Sequence, residues 1–313
     1  MVNGLNLAFQ FLDSFAFVVL AAAGLAIIFG IMGVINLAHG EFILVGAYAT
    51  TVSATSLGLP LPLAMAAGVL VTALFGVVVE RVIISGFVPN WIGQRTVGRD
   101  LVEPLYDRLA DSMVATFGLS LIMVQGARIR FGNSIDQIAT PFGNVAYGEF
   151  SYSTYRLVLA GVSVALLVVV YYVFTRTDFG TRVRATMADE QTARALGVDT
   201  DRTYMLTFGI GSGLAGLTGA LFAPVLSMQP TLGSQFLVEA FVAVVVGGPS
   251  VVLGTALSGG VLGAVNATVT NLTDSTTFGR IALLLTAILA LRFLPDGITG
   301  FVERVRTRRE EGE

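Results

Sequence analysis

The chain contains no cysteine, no lysine and a single histidine, and each scarcity closes a route. Without cysteine there is neither a disulfide framework nor thiolate chemistry, and His39 alone cannot build a histidine cluster for a metal. Without lysine, a phosphate-binding loop of the G-x-x-x-x-G-K-[ST] kind cannot form, so any nucleotide-driven work must come from another polypeptide. Charge is also scarce: 12% of residues are charged and 54% are hydrophobic, whereas soluble domains carry roughly a quarter charged residues. Gly211-Ser212-Gly213 has the look of a serine nucleophile's surroundings, but no G-x-S-x-G is present and no Ser–His pairing is visible. An enzyme is therefore not expected, nor a cofactor bound by this chain, a metal or a nucleic-acid partner.

What the chain does have is a succession of apolar runs long enough to cross a bilayer, each of about 20 residues. Nine are placed: Phe11–Met32, Ala38–Leu57, Leu61–Val82, Met113–Ile129, Leu157–Phe174, Tyr204–Leu226, Phe236–Leu253, Thr255–Val269 and Arg280–Leu294. The expected fold is all-α: a polytopic helical membrane bundle of 8–9 transmembrane helices, one membrane domain over residues 1–313. Met1–Gln10 holds no basic residue and no small-residue cleavage pattern, so the first run reads as a span and not as a removed signal.

Arginine supplies the orientation. One connection carries Arg81, Arg95, Arg99 and Arg108, another Arg176, Arg182, Arg184, Arg194 and Arg202, and the tail Arg292, Arg304, Arg306, Arg308 and Arg309. With nine crossings these share one side, and Arg128, Arg130, Arg156 and Arg280 fall on the other. The positive-inside rule then predicts a cytoplasmic C-terminus and an external N-terminus in a cell membrane. Two of the predicted cytoplasmic connections, Ser85–Asp111 and Thr175–Thr203, exceed the 2–8 residues or so that a bundle needs. The second contains a helical stretch near Thr186–Leu196 that Gly197 can stop, the pattern of a docking element, although a charged loop can also simply stay solvated.

Three stretches attract attention as function. Asn36-Leu37-Ala38-His39-Gly40-Glu41-Phe42 opens a helix: Asn36 can cap it, Glu41 suits its positive end, and His39 and Glu41 can either line a polar path or satisfy local backbone groups. Gly209, Gly213 and Gly216, with Gly211 and Gly219 nearby, recur at helical spacing and read as a packing seam. Gly247-Gly248-Pro249-Ser250 interrupts an apolar run, as broken helices do at transporter substrate sites, a packing kink being the alternative; Glu239 lies in the same run.

The run from Gly24 through Asn36, His39, Gly40 and Glu41 to Tyr48 resembles the opening of permeases of the branched-chain amino-acid importer family. Phe179-Gly180-Thr181 through Arg184, Asp189, Ala193, Leu196 and Gly197 looks like that family's cytoplasmic coupling segment, and Val244–Gly248 with Leu294-Pro295-Asp296-Gly297 completes the likeness. The resemblance implies a subunit performing no bond chemistry, partnered by a second homologous permease, two ATP-binding subunits and an external solute-binding protein, with ATP acting only through the partners. It implies coupling residues at Gly180, Arg184, Asp189, Ala193, Leu196 and Gly197, and a path past Asn36, His39, Glu41, Glu239, Gly247, Gly248 and Pro249. Asp111–Leu121 and Gly209–Ala215 resemble the family's urea branch, so urea or a short amide stands beside branched-chain amino acids as the solute. Pro249-Ser250 and Leu294 depart from the family's pattern. A self-sufficient channel or ion-coupled carrier is the competing expectation, resting on Glu41 and Glu239.

Overall fold

The structure is a computed structural model and describes residues 2–86, 105, 109–135, 137–147 and 150–310. Most of the connection Ser85–Asp111 lies outside the described residues. Helices α1 (Val2–Met32), α2 (His39–Thr55), α3 (Leu61–Val79, extended by a π-helical turn Glu80–Ile84) and α4 (Leu109–Phe131) come first. A hairpin, β1 (Asn144–Tyr147) and β2 (Phe150–Ser153), leads to α5 (Thr154–Arg176). Two short helices, α6 (Asp178–Ala188) and α7 (Glu190–Ala195), precede α8 (Thr200–Phe222), α9 (Leu232–Gly247), α10 (Val251–Thr273), α11 (Thr276–Phe293) and α12 (Gly297–Glu310).

Among the described residues, seven helices are long and apolar enough to cross a membrane by length and composition: α1, α3, α4, α5, α8, α10 and α11. The shorter α2 and α9 hold 17 and 16 residues. All nine apolar runs thus fall on helices of an all-α polytopic bundle. One boundary is corrected: the run Phe236–Leu253 is two helices, because Gly248 takes φ +85° and Pro249 has no amide to donate, ending α9 at Gly247. Prolines mark other helix starts too, with Pro60 before α3 and Pro295 before α12.

The chain divides into two compact units, one of Ile27–Ile138 and Tyr172–Leu237, the other of Met1–Ala26, Ala139–Tyr171 and Val238–Glu313. In the first, α2, α3 and α8 form the core and meet at glycines. A Cβ on Gly46 would overlap the backbone of Gly216, one on Gly219 the carbonyl of Ile43, and one on Gly76 the side chain of Ser212. Gly216 in turn faces Thr72, Gly209 faces Val77 and Gly213 faces Ala73. The glycine pattern of α8 is thus a packing seam, as its spacing predicts. Lipid offers no hydrophobic drive for helix association, so dispersion contacts at close approach carry the assembly. The first turns of α2 and α9 also touch backbone to backbone, at Gly40 and Gly233.

In the second unit, α1 packs on α10 where Gly259 faces Val19 and Gly263 faces Phe15, and Gly279 of α11 sits against Thr270 and Asn266 of α10. The Arg156 guanidinium pairs with the Asp13 carboxylate. The hairpin has no counterpart in the apolar-run reading. Its Tyr152 stacks on Phe9, with centroids 4.9 Å apart, and donates its hydroxyl to the Phe9 carbonyl at 3.0 Å.

The seam makes a direct prediction. Gly219→Ala should destabilise the protein by about 1–3 kcal/mol through overpacking, whereas Gly118→Ala on α4, where a Cβ meets nothing within 4 Å, should not. Thermal unfolding of both detergent-solubilised variants, followed by size-exclusion chromatography, checks it; equal midpoints would remove the seam from the account.

Candidate functional site

The six residues between α1 and α2 turn the chain sharply, with Gly33 at φ +61°. Asn36 organises this turn: its Oδ1 accepts the Ala38 amide at 3.0 Å and its carbonyl accepts the His39 amide at 3.2 Å. It therefore holds the entry to α2, although Ala38 is the residue at the helix cap itself. Thr116 of α4 reaches the same turn, accepting the Leu37 amide at 3.0 Å and donating to the Ile35 carbonyl at 3.1 Å. His39 is fully buried at the start of α2. Glu41 is buried at 4% exposure, and the Ser120 hydroxyl of α4 hydrogen-bonds its carboxylate. Two turns further along α2, Tyr48 meets Phe131 of α4 edge-on, with centroids 5.0 Å apart.

The structure therefore brings Asn36 and Glu41 together on one seam, α2 against α4, where polar side chains face each other. The partners Thr116, Ser120 and Tyr48 were missed from sequence. A signal existed: Ser112, Thr116 and Ser120 repeat every fourth residue in the otherwise apolar stretch 112–124, which sets them on one face.

Glu239, Gly247, Gly248 and Pro249 belong to the other unit. Glu239 is buried at 5% and its carboxylate pairs with Arg280 of α11 at 2.9 Å, so it has a dedicated cation. The break after α9 is closed by α12: the Thr299 hydroxyl donates to the Gly247 carbonyl at 2.8 Å and accepts the Ser250 amide at 3.4 Å. Gly248 and Gly297, both at positive φ, touch through their backbones. Freed backbone groups inside a membrane need such a partner. Here one hydroxyl serves a carbonyl and an amide.

The segment between α5 and α8 corrects one expectation. The helical stretch placed near Thr186–Leu196 is broken at Asp189, whose extended backbone (φ −162°) ends α6 and caps α7. The Asp189 carboxylate accepts the Thr192 amide and the Thr192 hydroxyl, each at 2.9 Å. These bonds, the amide first, hold its carboxyl below the ordinary value of 3.8. Gly197 ends α7 with φ +87°; its amide bonds the Arg194 carbonyl and the Val198 amide bonds the Ala193 carbonyl, a Schellman closure.

The segment is tied at both ends. Gly180 packs where a Cβ would overlap the Phe174 carbonyl of α5, and Arg184 donates to that same carbonyl. Arg194 bonds Glu190 at 2.9 Å, Thr200 at 2.7 Å and Asp201 at 3.1 Å, while the Tyr204 hydroxyl of α8 donates to Glu190 at 3.3 Å. Ala193 is buried, but Leu196 stands 81% exposed and Met187 47% exposed. Among the described residues no group of acidic, histidine or cysteine side chains could hold a metal ion.

A bundle of apolar helices with broken ends and a short helical segment tethered between two spans is the architecture of a multi-pass membrane transport subunit. Compared with protein families, residues 7–291 match the family described as branched-chain amino acid transport system, permease component, and the chain belongs to that family. It is 28% identical over 326 residues, 96% of this chain and 94% of the relative, to the high-affinity branched-chain amino acid transport system permease protein BraD of Pseudomonas aeruginosa. It is 25% identical over 297 residues, 90% of this chain and 88% of the relative, to the probable branched-chain amino acid transport permease protein LivH of Methanocaldococcus jannaschii. A partial likeness, 30% over 150 residues and 48% of this chain against 42% of the relative, reaches the ribose import permease protein RbsC of Bacillus subtilis. No solved structure matches.

Two predictions follow from these geometries. Thr299→Val leaves the Gly247 carbonyl without its donor and should cost about 1–3 kcal/mol, with Thr299→Ser close to wild type, read as thermal unfolding midpoints. For Asp189, a lowered folded-state value means that the cap's contribution is complete above about pH 4 and lost only as pH falls through that lowered value. The carboxyl of Asp189, followed by carbon-13 NMR on labelled protein, should therefore titrate below 3.8, and Asp189→Asn, which keeps an acceptor, should retain the amide protection of α7 that Asp189→Ala loses.

Proposed function

We propose that this chain is the permease subunit of an ATP-driven importer for branched-chain amino acids. It would work beside a second homologous permease, two ATP-binding subunits and an external solute-binding protein in a cell membrane. The family match over residues 7–291 carries the reading. Two observations support the mechanical side: the lysine-free sequence has no phosphate-binding loop of its own, and the 178–197 segment presents Leu196 and Met187 outward while fixed at both ends. Nucleotide chemistry stays with the partners, and this chain makes and breaks no covalent bond.

In this reading the segment faces the cytoplasm, the N-terminus lies outside and the C-terminus inside. ATP-driven closure of the partner ATPases presses on α6 and α7. The push travels to α5 through the Arg184–Phe174 and Gly180 contacts and to α8 through the Glu190–Arg194–Thr200 clamp. Access then alternates by a shift between two packings. Each tether ends on a different span, so one displacement of the short helices reorients both.

Gly197→Val tests the coupling directly, because a β-branched residue at φ +87° opposes the closure of α7 by about 1–2 kcal/mol. In proteoliposomes carrying the whole importer, ATP hydrolysis should continue while accumulation per ATP falls about tenfold, a shift of about that size in the coupled state. Unchanged coupling would remove the segment as the docking element. Uptake of labelled leucine, urea and a short amide in the same vesicles decides the solute, and accumulation by the chain alone without nucleotide would establish the self-sufficient carrier instead.

A further inference from the structure

The seam between α2 and α4 holds three buried polar atoms that no neighbour satisfies: Nδ2 of Asn36, Oε2 of Glu41 and the hydroxyl of Tyr48. Their residues are 1%, 4% and 4% exposed. Buried hydroxyls of Thr50, Thr207 and Ser212 are in the same condition, but this seam adds an amide and a carboxylate, whereas the other candidate polar features are satisfied. Glu239 has Arg280, the α9 break has Thr299, and Asp189 has Thr192. Buried polar groups are ordinarily paired, and an ionised carboxylate is the most costly of all to leave with an idle oxygen.

The order of the groups along α4 is informative. Asn36 belongs to the turn held by Thr116, and Glu41 to the next rung, bonded by Ser120. Residues four apart on a helix face have Cβ atoms about 5–6 Å apart, so Thr116 and Ser120 set the Asn36 turn and Glu41 against consecutive rungs of α4. One solute group offering a carboxylate oxygen to Asn36 and a cationic N–H to Glu41, through bonds of about 2.8–3.0 Å, spans such an interval.

Resting on the importer reading above, we propose that the α2–α4 seam is the place where the permease itself holds the head of its solute, an α-amino acid. The Glu41 carboxylate receives the ammonium, Asn36 Nδ2 donates to the carboxylate, and Tyr48 receives the solute one stage further along the path. Ammonium fits better than a neutral urea or amide N–H, because a full positive charge offsets the burial of Glu41 while a neutral donor does not. Ser120 is a positioning residue: its bond occupies one oxygen of Glu41 and leaves Oε2 for the solute. The glycine seam on the opposite side fixes α2 against α3 and α8, so the acceptor is presented from a rigid element.

The experiment uses proteoliposomes containing the complete importer, with labelled L-leucine and labelled urea as probes. Stimulation of ATP hydrolysis by the loaded external partner, measured on the wild type, reports the importer reading separately. Glu41→Gln keeps the shape and removes the charge, and it should lower maximal leucine uptake at least about tenfold, the scale of a lost charge-assisted bond. Glu41→Asp should restore part of it, Ser120→Ala should give an intermediate loss, and Tyr48→Phe should slow uptake if Glu41→Gln does not assemble. Leucine uptake within twofold of wild type in assembled Glu41→Gln and Tyr48→Phe importers overturns the proposal and leaves the importer reading standing. Urea accumulation with no leucine accumulation in the wild type overturns the ammonium assignment alone. Absence of ATP-dependent accumulation of any solute overturns both.

Discussion

Close approach of helix backbones at glycine is the constraint on which the first unit depends. Where Gly46 meets Gly216 and Gly219 meets Ile43, there is no room for a methyl group, and α2, α3 and α8 are held at the distance that this sets. In water such helices would associate by hiding apolar surface; in lipid that gain vanishes, and the contacts that remain are those gained by near-touching backbones. The rigidity of α2 follows from this, and with it the direction in which Asn36, Glu41 and Tyr48 point. The polar face of α2 is thus a consequence of the glycine face.

Three helix interruptions that carry candidate residues are served by a side-chain oxygen. Asn36 and Thr116 serve the turn into α2, Asp189 the junction of α6 and α7, and Thr299 the break after α9. The chemistry matches the surroundings. Within apolar helices the partner is a neutral hydroxyl or amide, which is bearable in a low dielectric, whereas the exposed junction at Asp189 uses an ionised carboxylate that stays hydrated. The same rule explains why Glu239 comes with Arg280: a charge placed among apolar helices needs its own counter-charge.

Much of this was legible in the residues. Apolar runs are long and uninterrupted, so all nine fall on helices, and glycines at helical spacing in α8 gave the seam because their spacing is itself the packing rule. Gly197 as a helix stop was equally readable, since positive φ selects glycine. What stayed hidden depends on distance in space. Thr299 lies 52 residues beyond Gly247, and nothing local marks it as the partner. Asp189 reads as a polar residue inside a helix until its carboxylate is seen to bond Thr192, three positions on, which turns one expected helix into two. The hairpin failed for another reason: its strands are four residues each, too short for alternation to stand out.

The contrast between two carboxylates separates structure from function more sharply than burial does. Glu41 and Glu239 are equally enclosed, and from sequence they formed one pair of intramembrane acids. Glu239 is complete, since Arg280 supplies both charge and donor at 2.9 Å. Glu41 has a neutral hydroxyl on one side and nothing for Oε2. Under the solute site proposed above, a resident cation at Oε2 of Glu41 would compete with the passenger's ammonium. The glycine seam supplies the stability that the α2–α4 seam forgoes, which is why the two faces of one helix differ so strongly in chemistry.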